Sequence, residues 1–157
     1  MKYLLFVISV LLLAACSQNA LPKTLKDPSP IQQIPASSAG LTLELEDDSF
    51  SRSPSAIEAS MKNDSLKHYD YGDYFYIEVK KEDGWYILTH SDAVFIENPH
   101  LTDFGHVLLS GSRIKQSFSF DLLKVTLPAG EYRLIKTFLS KEQPFHEISL
   151  SAPFTVS

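Results

Sequence analysis

The chain has 157 residues, 44% of them hydrophobic and 21% charged, with a formal net charge of -5. That length admits one domain and hardly two, and mild acidity without a Lys/Arg cluster argues against a nucleic-acid or polyanion binder. The single cysteine, Cys16, leaves no intramolecular disulfide, so apolar packing and strand ladders must hold any fold.

Residues 1–16, MKYLLFVISVLLLAAC, start with one basic residue, Lys2, and continue as an almost unbroken apolar run to the small pair Ala14 and Ala15. The run falls short of the ~20 residues a helix needs to cross a hydrocarbon core. It predicts a cleaved export signal over residues 1–15. Leu13-Ala14-Ala15-Cys16 resembles a bacterial lipobox. The resemblance implies a diacylglycerol on the Cys16 sulfur, cleavage before Cys16, and an acyl group such as palmitate on the new amino terminus. Several chains at ~0.8 kcal/mol per buried CH₂ would hold a domain at a bilayer, making membrane lipid its first partner. The expected address is the extracytoplasmic face of a bacterial membrane: the plasma membrane in a one-membrane cell, the outer membrane in a two-membrane cell. Without Lys2 the mature chain carries 13 basic against 19 acidic residues, a net charge of -6.

Residues 16–40 contain Pro22, Pro28, Pro30 and Pro35 among Ser, Gln and Asn, with no hydrophobic period. They predict a flexible tether spanning roughly 25–30 Å. The alternative is that Ile31 and Ile34 dock along the first strand.

The domain is expected over residues 41–157. Residues 41–46 alternate, with Leu41, Leu43 and Leu45 inward; residues 56–63 follow with Ile57, Ala59 and Met61 inward, ended by Asn63-Asp64-Ser65. Within 68–81 the second half predicts a strand with Phe75, Ile77 and Val79 as its apolar set. Glu82-Asp83-Gly84 predicts a hairpin turn into residues 85–88. The region 89–111 is harder to divide: short strands are expected at 93–96 and 107–109, broken by Asn98-Pro99-His100 and Phe104-Gly105. Ile114, Phe118 and Phe120 share a parity and predict a strand over 113–121. Pro128-Ala129-Gly130 then supplies a tight reversal, in which Pro128 fixes its own φ and Gly130 permits a positive one. In the strand 131–138, Tyr132, Leu134 and Phe138 face one way and Arg133, Ile135 and Thr137 the other. Residues 147–156 form the last strand, in which Pro153 disfavours a fully laddered central position.

Short strands with turns every 8–12 residues and no helical period describe an all-β sandwich of seven to nine strands. Residues 41–156 resemble a family of bacterial immunoglobulin-like domains found in exported lipoproteins, mostly of Gram-positive bacteria. The features that carry the resemblance are the Leu-rich first strand, a second strand ending in Asn63, and Tyr71-Gly72 before an aromatic strand. Gly84-Trp85-Tyr86, Gly111 leading into Phe118-Ser119-Phe120, and residues 127–133, LPAGEYR, complete it. It implies an immunoglobulin-like sandwich without a disulfide and no particular activity. Secreted proteinase-inhibitor sandwiches are a looser likeness, by fold type alone.

Among candidate functional residues, Tyr69, Tyr71, Tyr74 and Tyr76 form a cluster suited to recognition, since tyrosine gives rigid amphipathic contact area. Cross-strand packing explains them equally. Trp85 is either a surface recognition residue or a structural one, lying across the core or over the hairpin end. Tyr132, two residues after the turn, suits a tyrosine corner, its hydroxyl bonded to nearby backbone. The five histidines offer only accidental pairings with acids, there is no Gly-x-Ser-x-Gly elbow, and Cys16 is taken by the anchor, so no enzyme is expected. No cofactor is expected either, for lack of a phosphate loop, zinc set or dinucleotide fingerprint. For a metal, His100, Asp103 and His106, or Asp47-Asp48 and Glu97-Asn98, are unspecific candidates. The expected function is a lipid-anchored, non-catalytic domain binding another cell-envelope component. The alternatives are a proteinase-inhibitor-like regulator presenting residues 89–111, and a ligand- or metal-binding sensor.

Overall fold

In the computed structural model, which describes residues 22–89 and 104–157, the alternating segments of the sequence pair into two sheets. In chain order the strands are β1 (Ser37–Ser38), β2 (Leu41–Leu45), β3 (Ser49–Phe50), β4 (Ala56–Asn63), β5 (Tyr69–Tyr71), β6 (Tyr76–Lys81), β7 (Gly84–Ile87), β8 (His106–Leu108), β9 (Arg113–Ser119), β10 (Gly130–Ser140) and β11 (His146–Val156). A four-stranded sheet runs β1-β2-β4-β9, and a seven-stranded sheet is built around β10. β10 pairs with β11 along its whole length; on its other side it meets β6 through residues 132–135 and β5 through 139–140. β7 extends the sheet from β6, and β8 extends it from β5. The strand segments beyond nine are short ones: β1 and β3 have two residues each.

Period-2 alternation explains the core. Leu43 and Met61 stand opposite each other on the inner face of the first sheet. Ile77, Val79, Tyr132, Leu134, Phe138, Leu150 and Phe154 face them from the second sheet, all buried. Phe75, edge-on to Phe118 at 5.0 Å, joins the layers, while Tyr132 stacks on its cross-strand partner Phe154 at 5.5 Å within the second sheet. The Tyr132 hydroxyl donates to the Pro128 carbonyl at 2.6 Å, the expected corner. Burial raises that phenol to about 12.

Several expectations change. Gly130 does not use the positive φ it permits; a Cβ there would lie 3.3 Å from the Tyr132 ring and hydroxyl, so it is close approach that favours glycine. The strand expected over 113–121 stops at Ser119, where the Ser119 hydroxyl accepts from the Leu122 amide and caps a single helical turn, α1 (Phe120–Leu123). Lys124 closes that turn in the left-handed conformation. Phe120 keeps its buried place despite the change of backbone. In the hairpin, Lys81 pairs with Gly84, so Glu82 and Asp83 form the loop. Pro153 behaves as expected. Its neighbours Ser151 and Thr155 send their amides outward, away from β10, to the carbonyls of Pro35 and Asp48. By the same parity, the missing Pro153 donor falls on the open edge. The strand expected at 93–96, the signal segment 1–15 and Cys16 lie outside the described residues.

The largest correction concerns the tether. Over residues 22–36 the chain is bound to the second sheet and forms a strap. It first lines the free edge of β7: Thr24 bridges Leu88, the Leu25 amide donates to the Ile87 carbonyl at 2.9 Å, and the Ser29 amide donates to the Trp85 carbonyl at 2.8 Å. It then crosses the outer face, gives the Pro35 carbonyl to Ser151 on β11 and the Ala36 carbonyl to Leu43, and enters β1. Docking is mainly by the strap's backbone, on β7, β10 and β11, with the Ser29 and Gln32 side chains adding to it. The expected alternative, Ile31 and Ile34 packing along the first strand, does not describe it, and Ile31 is exposed.

Candidate functional site

The strap converts part of an outer sheet face into an interior. Glu78 on β6 and Arg133 on β10 are register partners whose side chains point away from the core. Arg133 Nε donates to Glu78 Oε2 at 2.6 Å, and its Nη2 closes a second bond to the same oxygen. Nη1 and Nη2 also donate to the carbonyls of Gln32 and Ile31, each at 2.9 Å. The other oxygen, Glu78 Oε1, accepts from the Ser29 hydroxyl at 2.5 Å. A charge pair placed in low dielectric is tolerable when its lone pairs and protons are satisfied this way.

Trp85 completes the arrangement. The Arg133 guanidinium lies 4.6 Å from its ring centre, and the Lys80 ammonium 5.3 Å from it. Gln32 behaves like one more strand residue: its Oε1 accepts from the Trp85 amide at 2.8 Å and its Nε2 donates to the Trp85 carbonyl at 3.2 Å. Gly84 makes room, since a Cβ there would fall 2.6 Å from Gln32 Oε1, at φ +152. Trp85 therefore lies neither across the core nor over the hairpin end. Its neighbour Tyr86 points inward, while the half-buried indole stands on the outer face beside Pro153. Two open grooves flank this ridge. One is walled by Gln33, Ile34, Pro35 and Ser151, the other by Asp48, Glu131, Phe154 and Thr155.

The tyrosine cluster divides. Tyr69 is core, its hydroxyl on the Ala39 carbonyl at 3.2 Å, and is closed to any partner. Tyr71 packs between His106 and Phe138, at 5.3 and 6.4 Å. Tyr74 and Tyr76 meet each other at 6.3 Å, and only Tyr74 counts as exposed. Burial, helped by the Glu78 charge, raises Tyr76 to about 12. The four do not form one surface, because alternation and the break between β5 and β6 send them in different directions.

Lys136 was missed altogether. It shares parity with Leu134 and Phe138, is fully buried, and donates to the carbonyls of Gly72 and Tyr74, the latter at 3.0 Å. Desolvation lowers its amine to about 8, partly opposed by Asp73. A lysine on the inward parity of an apolar strand was the available signal. Of the metal candidates, His100, Asp103, Glu97 and Asn98 lie outside the described residues, and His106 stands 3.8 Å from Asp73. Among the described residues no group of three or more His, Cys, Asp or Glu side chains is close enough to hold a metal ion.

With this geometry in view, the family described as “Bacterial Ig-like domain” matches residues 37–155. The chain belongs to that family. In immunoglobulin-like terms β2, β4 and β9 occupy one layer, with β11, β10, β6 and β7 in the other. The matched region begins at β1, so the strap lies outside the shared Ig-like domain although it is bound to it. Among solved structures, the C-terminal domain of wzt is similar at 13% identity over 87% of this chain and 81% of that one, with a TM-score of 0.36. The comparison with curated proteins returned no match.

Proposed function

We propose that this is a lipid-anchored, extracytoplasmic lipoprotein whose Ig-like domain binds another cell-envelope protein without catalysing a reaction. The export-type residues 1–15 and the lipobox ending in Cys16 support the anchor. Membership of an Ig-like family favours a binding domain over an enzyme. The observation that carries the binding reading is the Trp85 ridge. Its indole is half-buried, flanked by grooves on both sides, with Arg133 against its ring and Gln32 on its backbone. A large aromatic that is already immobilised loses little side-chain entropy on association, and such residues dominate interface energies. The partner that suits it is an extended protein segment laying one apolar side chain in each groove across the indole.

Affinity capture from intact cells tests this, using the lipidated protein with a photo-crosslinking residue at Thr155 and the same protein carrying Trp85→Ala. One envelope protein recovered by the first and reduced at least tenfold with the second is the expected result. Equal recovery by both, or recovery of no specific protein, overturns the binding reading. Mass spectrometry finding Cys16 unmodified in envelope extracts overturns the anchor reading separately.

A further inference from the structure

One end of the sandwich gathers the turn at Ala39 and Gly40, the loop after β4, the loop after β8 and the loop after β10. They are tied together there. The Asp64 amide donates to the Gly40 carbonyl, the Ser110 hydroxyl to the Ser65 carbonyl, and Lys67 pairs with Glu142 at 2.5 Å. Three large apolar side chains project from this end: Leu66 is 97% exposed, Phe145 63% and Leu109 54%. Loop tips normally carry small or polar residues, and burial within the domain does not account for these three.

The anchor chain leaves toward this same end. Thr24 is level with Leu88, Leu88 with Ile77, and Ile77 with Leu134. The strap is antiparallel to β7, so moving from Ser29 back to Pro22 advances along β10 toward Ser140. From Leu134 to Ser140 is about 20 Å at strand spacing. Six peptide steps separate Pro22 from Cys16, with a reach of at most about 20 Å. An acyl group on Cys16 can therefore reach the level of the loop tips and hardly beyond them. We infer that this loop end rests on the lipid bilayer, with Leu66, Phe145 and Leu109 entering the headgroup–acyl boundary; this deepens the lipid-anchor reading and depends on it.

Charge agrees with that orientation. Three ion pairs stand at the loop end, Lys62 with Asp64, Lys67 with Glu142 and Lys141 with Asp70. At the opposite end the carboxylates Asp47, Asp48, Glu82, Asp83, Asp121 and Glu131 outnumber the cations Arg52, Lys80, Lys81 and Lys124. An anionic lipid surface thus meets the locally neutral end and repels the other. The Trp85 ridge, level with Glu131, stands about 30 Å from the membrane at strand spacing, open to a partner.

The test uses the lipidated protein in phosphatidylethanolamine–phosphatidylglycerol vesicles whose acyl chains are brominated near the headgroups. Trp85 of the native protein reports the far position; Leu66→Trp and Phe145→Trp, each combined with Trp85→Phe, report the loop end. The expected result is at least twofold quenching at positions 66 and 145 and none at 85. Equal emission from brominated and plain vesicles at 66 and 145, or quenching at 85 as strong as theirs, overturns the inference. If mass spectrometry shows Cys16 unacylated, the anchor reading fails on its own. Coupling a maleimide phospholipid to Cys16 then repeats the measurement, with the same two outcomes deciding the orientation.

Discussion

On the four-stranded sheet Arg113 meets Glu44 with side chains 53% and 59% exposed; on the seven-stranded sheet Arg133 meets Glu78 with side chains 5% and 1% exposed. Both pairs stand on outward positions of their sheets, the first reaching across β4 and the second on neighbouring strands, so alternation treats them alike. The strap distinguishes them. Where no strap crosses, Glu44 with Arg113 and Glu46 with Lys115 form a solvated ladder of ions whose attraction water and salt largely cancel. Under the strap the same chemistry has lost its water and depends on the carbonyls of Ile31 and Gln32 and the hydroxyl of Ser29. Burial, more than the identity of the charges, sets what each pair is worth.

Breaking the covered pair should have the largest effect. Arg133→Met leaves Glu78 buried without its cation and two strap carbonyls without donors, and should cost about 3–5 kcal/mol in urea unfolding. A cost near zero would mean that water reaches Glu78 and that the strap is not a lid.

The next effect appears on the pH axis and comes from the other buried cation. Lys136, held near 8 in the fold against 10.5 for an ordinary lysine, is charged in both states below pH 8, where the fold bears the cost of a desolvated ammonium. Between about pH 8 and 10.5 the unfolded chain keeps a proton that the fold has released, so stability rises with pH. The gain is up to about 1.4 kcal/mol per unit and about 3 kcal/mol in all. Tyr76 and Tyr132, raised to about 12, act oppositely above about pH 10, because the unfolded phenols ionise first. Unfolding at pH 7.5, 9 and 10 should therefore show a rise that Lys136→Met flattens. Equal slopes in the two proteins would remove the buried-amine explanation.

A smaller effect isolates the strap without touching a charge. Gln32→Ala removes the side chain that pairs with both backbone groups of Trp85 and should cost about 1–2 kcal/mol. Amide exchange should accelerate at Trp85 and along residues 25–29, while β4 stays protected. Acceleration spread evenly over both sheets would mean that the strap and the sandwich open as one unit. Smallest of all, Arg113→Ala should leave the unfolding midpoint within measurement error, and any difference should vanish in 1 M salt. A clear loss there would erase the contrast between the faces.

Most of the sandwich could be read along the chain because its signals are local. Leu41, Leu43 and Leu45 alternate, residues 56–63 match β4 from end to end, and Pro128, Gly130 and Tyr132 announce the corner that the hydroxyl bond completes. The strand end at Ser119 was missed because Phe120 keeps the strand's parity while the backbone has already turned helical. The strap was missed because its attachments are mainly backbone carbonyls and amides, which every residue carries, aimed at strands far along the chain. A proline-rich, aperiodic composition describes equally a free tether and a segment laid against someone else's edge. Arg133 and Glu78 were visible as outward charges, but outward means solvated only if nothing lies on top.

The sequence by itself determined two apolar-faced layers and their turns, since period and turn chemistry are written within a few residues of one another. The tertiary structure decided which outer face is covered, which arginine is buried, which tyrosines are closed off, and toward which end the chain departs. Those outcomes depend on what lies opposite a residue across the fold, a relation that neighbours in the chain do not encode.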